Sequence, residues 1–147
     1  VDYFKKYLEF KPDSEEVWNK LITCHERLRE NDKVLETIEA AIKALGDKKE
    51  LWVKLAEIHT QSENYDKAFE AYDKVVLLSD AGDKQSVLEE VFFLAVSAGT
   101  ARQSKPYLDK GWAYLQQLKS MVDQETYDLY KENLKNAYGE IGQQAPF

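Results

Sequence analysis

The chain has 147 residues, 44% of them hydrophobic and 32% charged, which is enough to bury one core and too little for two full domains. Its formal net charge of -7 and pI near 4.9 leave it without the clustered Lys and Arg that a phosphate backbone demands, so nucleic acid is excluded as the expected partner. Cys24 is the sole cysteine and no window approaches the roughly 20 apolar residues of a membrane span. Disulfide scaffolds, cysteine zinc sites and membrane insertion are therefore not expected, and a reducing compartment such as the cytoplasm fits without being assigned.

Six Gly and three Pro are few for this length, which favours helices, and a single all-α domain over residues 1–147 is expected. Phe4, Tyr7 and Leu8 form a short apolar stripe closed by Pro12, so 1–12 reads as the end of a preceding helical unit. The start at Val1, without initiator Met or signal pattern, reads as trimmed. From Asp13 a self-match sets in. Shifting this region by 34 residues pairs Asp13 with Asp47, Glu16 with Glu50, Trp18 with Trp52, Leu21 with Leu55, His25 with His59 and Glu36 with Glu70, without a gap. Two units follow, 13–46 and 47–80. In each, the Asp and the Glu three residues on suggest a capping box. The first helix then carries Val17, Trp18, Leu21, Ile22 and His25, or Leu51, Trp52, Leu55, Ala56, Ile58 and His59. A break at Glu30 and Asn31 leads to a second stripe, Val34, Leu35, Ile38, Ala41, Ile42 and Leu45, stopped by Gly46. Its counterpart carries Ala68, Phe69, Tyr72, Val75 and Val76.

Beyond Ser79 the repeat fades into an expected degenerate helical pair over 83–122 with a lengthened turn. Ser86 with Glu89 suggests the cap of a helix bearing Val87, Val91, Phe92, Ala95 and Val96, and Ser104 with Pro106 opens one bearing Leu108, Gly111, Trp112, Leu115 and Leu118. Asp123 starts a last helix, 123–141, with Tyr127, Tyr130, Leu134, Tyr138 and Ile141 on one face, and 141–147 reads as a loose tail.

Trp52, Leu55, Ala56 and His59, followed by Ala68, Tyr72 and Val75, resemble the tetratricopeptide (TPR) pattern, and Trp18, Leu21, Ala41 and Gly46 resemble it in the first unit. His25 and His59 stand where the family has Tyr, and Val34 where it has Ala, so the repeats are divergent. The resemblance implies a right-handed α-solenoid of TPR helix-turn-helix repeats, closed by a C-terminal capping helix.

No phosphate loop, nucleophile elbow or metalloprotease helix is present, so no enzymatic activity, catalytic residue or cofactor is expected. His25 and His59 lie on the same stripe as the Trp and Leu positions, and two ligands make a poor zinc site. Both are expected in the core, with no metal, and Cys24 and the tryptophans are expected to pack. On the first helix of each unit a second stripe lies roughly 140° from the core stripe, at about 100° per residue. It holds Glu16, Asn19, Thr23, Glu26 and Arg27, then Glu50, Val53, Glu57, Thr60 and Gln61, then Glu90, Phe93 and Ser97. The TPR resemblance implies that this stripe lines a concave peptide-binding groove; an ordinary solvated face is the alternative. Its carboxylates, with Val53 and Phe93 between them, suit a protein or peptide ligand bearing basic and hydrophobic residues. The TPR clamp for acidic chaperone C-termini is disfavoured, because Asn19 and Thr23 stand where it uses Lys and Asn. The expected function is a non-enzymatic protein-binding or scaffold module. Self-assembly through repeat ends or convex faces is the runner-up, and a cryptic enzyme or metal protein on a helical scaffold the third reading.

Overall fold

Apolar residues recurring every three to four positions bury a face only when the backbone is helical, and most of the chain up to residue 140 follows that period. The computed structural model describes residues 1–147. They form eight helices and no strand: α1 (Asp2–Phe10), α2 (Glu15–Arg27), α3 (Asn31–Leu45), α4 (Lys49–Gln61), α5 (Tyr65–Leu78), α6 (Ala81–Ala101), α7 (Lys105–Leu118) and α8 (Gln124–Glu140). Two compact units result, Val1–Leu78 with α1 to α5 and Ser79–Phe147 with α6 to α8.

In the first unit each helix packs on its successor in the chain. Leu21, Ile22 and His25 from α2 meet Val34, Ile38 and Ala41 of α3 in the buried layer, and Leu55, Ala56 and His59 of α4 join Ala68, Phe69, Tyr72 and Val75 of α5. Each fully buried aliphatic or aromatic side chain of this kind stabilises by about 1.5–3 kcal/mol. Trp18 and Trp52 are only half-buried. Each holds its neighbouring turn by its indole N–H, Trp18 donating to the Pro12 carbonyl at 2.7 Å and Trp52 to Asp47 Oδ1 at 3.1 Å.

The link from first to second helix is the same in both repeats. Arg29 and Glu63, one 34-residue period apart, take left-handed backbone at φ 56° and 57°. The Glu30 and Arg29 N–H groups donate to the His25 and Glu26 carbonyls, and those of Asn64 and Glu63 to His59 and Thr60. Such a closure satisfies the orphan carbonyls at a helix end and usually employs glycine. At a residue with a Cβ it costs roughly 1–2 kcal/mol. Gln103, at φ 50°, repeats it in the second unit, with Ser104 donating to Gly99 and Gln103 to Thr100.

Three sequence expectations about turns and caps are corrected. The lengthened turn of the third pair does not occur: only Arg102, Gln103 and Ser104 separate α6 from α7, and the extra length lies in α6, 21 residues against 13 in α2 and α4. Asp13 and Asp47 do not cap. α2 and α4 begin after Ser14 and Lys48, neither of which makes a side-chain cap bond, and Asp47 is engaged by Trp52 and by Lys74 at 3.8 Å. Ser86 lies inside α6, whose cap is Asp80, accepting from the Asp83 N–H at 2.9 Å. Ser104 and Asp123 do cap α7 and α8, accepting from the Tyr107 and Thr126 N–H groups.

In the second unit α6, α7 and α8 each pack on the other two. Leu88, Phe92, Leu108, Leu115, Leu118, Leu134 and Tyr138 are buried there. Gly99 permits the closest approach: a Cβ on it would sit 2.4 Å from Leu108 Cδ2. Two tyrosine hydroxyls cross between helices, Tyr130 donating to Glu89 Oε2 at 2.6 Å and Tyr138 to Asp109 Oδ1 at 2.5 Å. The carboxylate beside it and burial push the Tyr130 hydroxyl up to about 12. Residues 141–147 are not a loose tail. Gly142, at φ 69°, turns the chain back, and the Phe147 ring stacks on Trp112 with centroids 4.3 Å apart.

Candidate functional site

The polar stripe of the first unit faces outward, as amphipathic spacing dictates once the opposite face is buried. Glu16, Asn19, Thr23, Glu26 and Arg27 on α2 are all exposed; on α4, Glu50, Glu57 and Gln61 are exposed while Val53 and Thr60 are half-buried. Thr23 and Thr60 turn their hydroxyls back onto the Asn19 and Ala56 carbonyls at 2.9 and 2.8 Å, so they offer a methyl outward more than a free donor.

Two hollows lie along this face. The first, about 390 Å³, gathers Glu16, Asn19, Thr23 and Arg27 around Phe4 and the half-buried Cys24. Glu26, Glu57 and Gln61 gather in the second, about 240 Å³, with Val34, Ile58 and Lys54. Glu50, Val53 and Thr60 border neither. Two ion pairs alter the electrostatics expected from sequence. Lys20 Nζ lies 2.9 Å from Glu16 Oε1 and holds that carboxyl below its usual range. Lys54 Nζ reaches across from α4 to Glu26 Oε1 at 3.1 Å. Glu57 keeps an exposed carboxylate beside this pair.

In the second unit Glu90, Phe93 and Ser97 share an exposed face of α6. Phe93 is 42% exposed yet not isolated, packing edge-on to Phe92 and Tyr130 at 5.2 and 5.1 Å.

The histidines are core residues, His25 1% and His59 4% exposed. Burial, with Lys67 nearby, pushes the His59 imidazole below its usual value. Its Nδ1 is buried without a hydrogen-bond partner. His25 Nδ1 lies 3.5 Å from Glu30 Oε2, too long for a well-formed hydrogen bond, and that oxygen is held at 2.7 Å by Lys33. No group of three or more His, Cys, Asp or Glu side chains gathers where a metal ion could be held, and no helix is long and apolar enough to cross a membrane.

Sequence reasoning missed two features. One is a hollow of about 440 Å³ on the other side of α2, where Leu8, Trp18, Leu21 and His25 sit among Lys5 and Lys33. Half-exposed Trp18 borders it, and no periodicity distinguishes a half-buried from a buried tryptophan. The other is the aromatic contact of Phe147 with Trp112, which depends on a turn at Gly142. No protein-family model matches the chain, and no curated protein matches it.

Proposed function

We propose that the chain is a non-enzymatic protein-binding module of the TPR kind, taking a basic, partly apolar peptide segment along the outward faces of α2 and α4. The observation that carries this reading is the second hollow, where the exposed Glu57 carboxylate adjoins the half-buried, apolar Ile58. A lysine or arginine finds an unneutralised acid there next to ground for its own methylenes or a neighbouring aliphatic residue.

The test uses two synthetic peptides, one alternating Lys and Leu and one alternating Glu and Leu, titrated against the parent and Glu57→Lys. Saturable binding of the basic peptide, weakened by salt and several-fold by Glu57→Lys, with amide shifts on α2 and α4, is expected. Equal binding of both peptides, or indifference to Glu57→Lys, would place the interface elsewhere.

A further inference from the structure

We propose that Trp112, Lys131 and Tyr138 form a binding slot for an aromatic side chain carried on an extended, proline-containing peptide, and that this chain's own Phe147 fills it in cis. Trp112 comes from α7, Lys131 and Tyr138 from α8, two turns apart on one helix face. The Phe147 ring stacks on Trp112 at 4.3 Å with planes 30° apart, and meets Tyr138 edge-on at 6.3 Å. Lys131 Nζ lies 5.3 Å from the Phe147 ring and 6.0 Å from Trp112, so one cation flanks the stacked pair.

The helix pair itself holds part of the wall. Tyr138 is fully buried and its hydroxyl is fixed on Asp109, which Lys105 holds in turn at 3.1 Å. Trp112 and Lys131 stand on helices that pack directly on each other. A slot whose shape is set by the helix pair is preorganised for a ring. The occupant, by contrast, lies outside every helix and follows Ala145 and Pro146, a pair whose backbone is biased to an extended course. Contacts between single rings are weak enough to exchange. The ligand is therefore a partner segment with an aromatic residue next to proline, in competition with Phe147. This slot lies wholly in the second unit and is independent of the α2 and α4 reading.

The probe is acetyl-Gln-Ala-Pro-Phe-amide, with a control peptide carrying Ala for Phe. Two opened proteins are compared with the parent: Phe147→Ala and a chain ending at Gln143. The readout is the indole N–H resonance of Trp112, identified by its loss in Trp112→Phe. A saturable shift is expected in both opened proteins, at an affinity at least tenfold above the parent's, because the tethered tail competes at high effective concentration. Lys131→Met in the shortened chain should weaken binding, and the control peptide should leave the resonance unmoved. Equal affinity for parent and opened proteins overturns the proposal, as does an unmoved Trp112 resonance in opened proteins whose helix content matches the parent's. Loss of helix in both opened proteins would make Phe147 a structural plug and overturn it equally.

Discussion

Three of the four helical glycines, Gly99, Gly111 and Gly139, differ sharply in the space around them, so Gly→Ala at each sets packing against propensity. In a helix interior the exchange gains about 0.5–1 kcal/mol by restricting the unfolded chain. At Gly139 a Cβ meets nothing within 4 Å, and Gly139→Ala should be stabilising by up to that amount. At Gly111 the nearest atoms, Ala95 Cβ and Leu134 Cδ1, are 3.5 Å away, which is ordinary contact, so Gly111→Ala should also stabilise. Gly99 is the opposite case. Its Cβ would stand 2.4 Å from Leu108 Cδ2, 2.7 Å from Cγ and 3.2 Å from the Leu108 backbone nitrogen. Leu108 is fully buried, so rotating the side chain away finds no free space, and the α6 and α7 backbones must part. Overpacking of this kind costs about 1–3 kcal/mol. Set against the propensity gain, Gly99→Ala should be destabilising by about 1–2 kcal/mol. Urea unfolding followed by circular dichroism, with slopes compared as well as midpoints, measures all three. A Gly99→Ala protein as stable as the parent would refute the close α6 and α7 crossing.

The left-handed residues offer a second check: Arg29→Gly and Glu63→Gly should each be stabilising by up to about 1 kcal/mol in the same assay, despite glycine's poor helix propensity, because both lie outside the helices. His59 sets a pH dependence. Its folded imidazole is held below the unfolded value, so the unfolded chain binds the extra proton, and stability is full above about pH 6.5 and falls as pH drops from there toward the folded value. A stability profile of His59→Phe that keeps the parent's slope below pH 6.5 would exclude this source. Ending the chain at Val122 removes Leu134, Ala137 and Tyr138 from the second core and exposes Leu108 and Leu115, so light scattering should register association; a monomer of undiminished helix content would show α8 to be dispensable.

Most of the helical order was legible because burial and periodicity carry the same information. Every stripe assigned to a core face from Leu21 to Tyr138 contributes buried residues. Helix starts were less legible, since Asp, Ser and Glu cap only if the helix begins beside them, and that is decided by tertiary contacts. Asp47 does not cap, since α4 begins after Lys48; Trp52 and Lys74 engage it instead, the latter 27 positions on in the chain. The tail was misjudged for a related reason. Ile141 to Phe147 has no periodicity, and absence of periodicity says nothing about whether one terminal ring finds another.

The candidate groove was legible as a face but not as a field. Glu16 and Lys20 are four residues apart on one helix, so their pairing follows from spacing alone. Glu26 meets Lys54 from the next repeat, which one helix cannot reveal. The consequence is a ranking among carboxylates that look equivalent in sequence. Removing the Glu26 charge frees the Lys54 cation as it deletes an anion, whereas removing Glu57 deletes an anion alone. An exposed pair such as Glu26 and Lys54 contributes only about 0–1 kcal/mol to stability, so either change leaves the fold intact. For the alternating Lys and Leu peptide, Glu26→Gln should therefore weaken binding, since the freed Lys54 repels it, and Lys54→Gln should strengthen it by exposing Glu26. The double variant should return toward the parent, because the two charges act as one neutral unit. Titration of the four proteins at low ionic strength reads the cycle directly. Four proteins that bind the peptide alike, or single variants that both shift binding in the same direction, would show that the peptide does not sense this pair and that the α2 and α4 hollow is not its site.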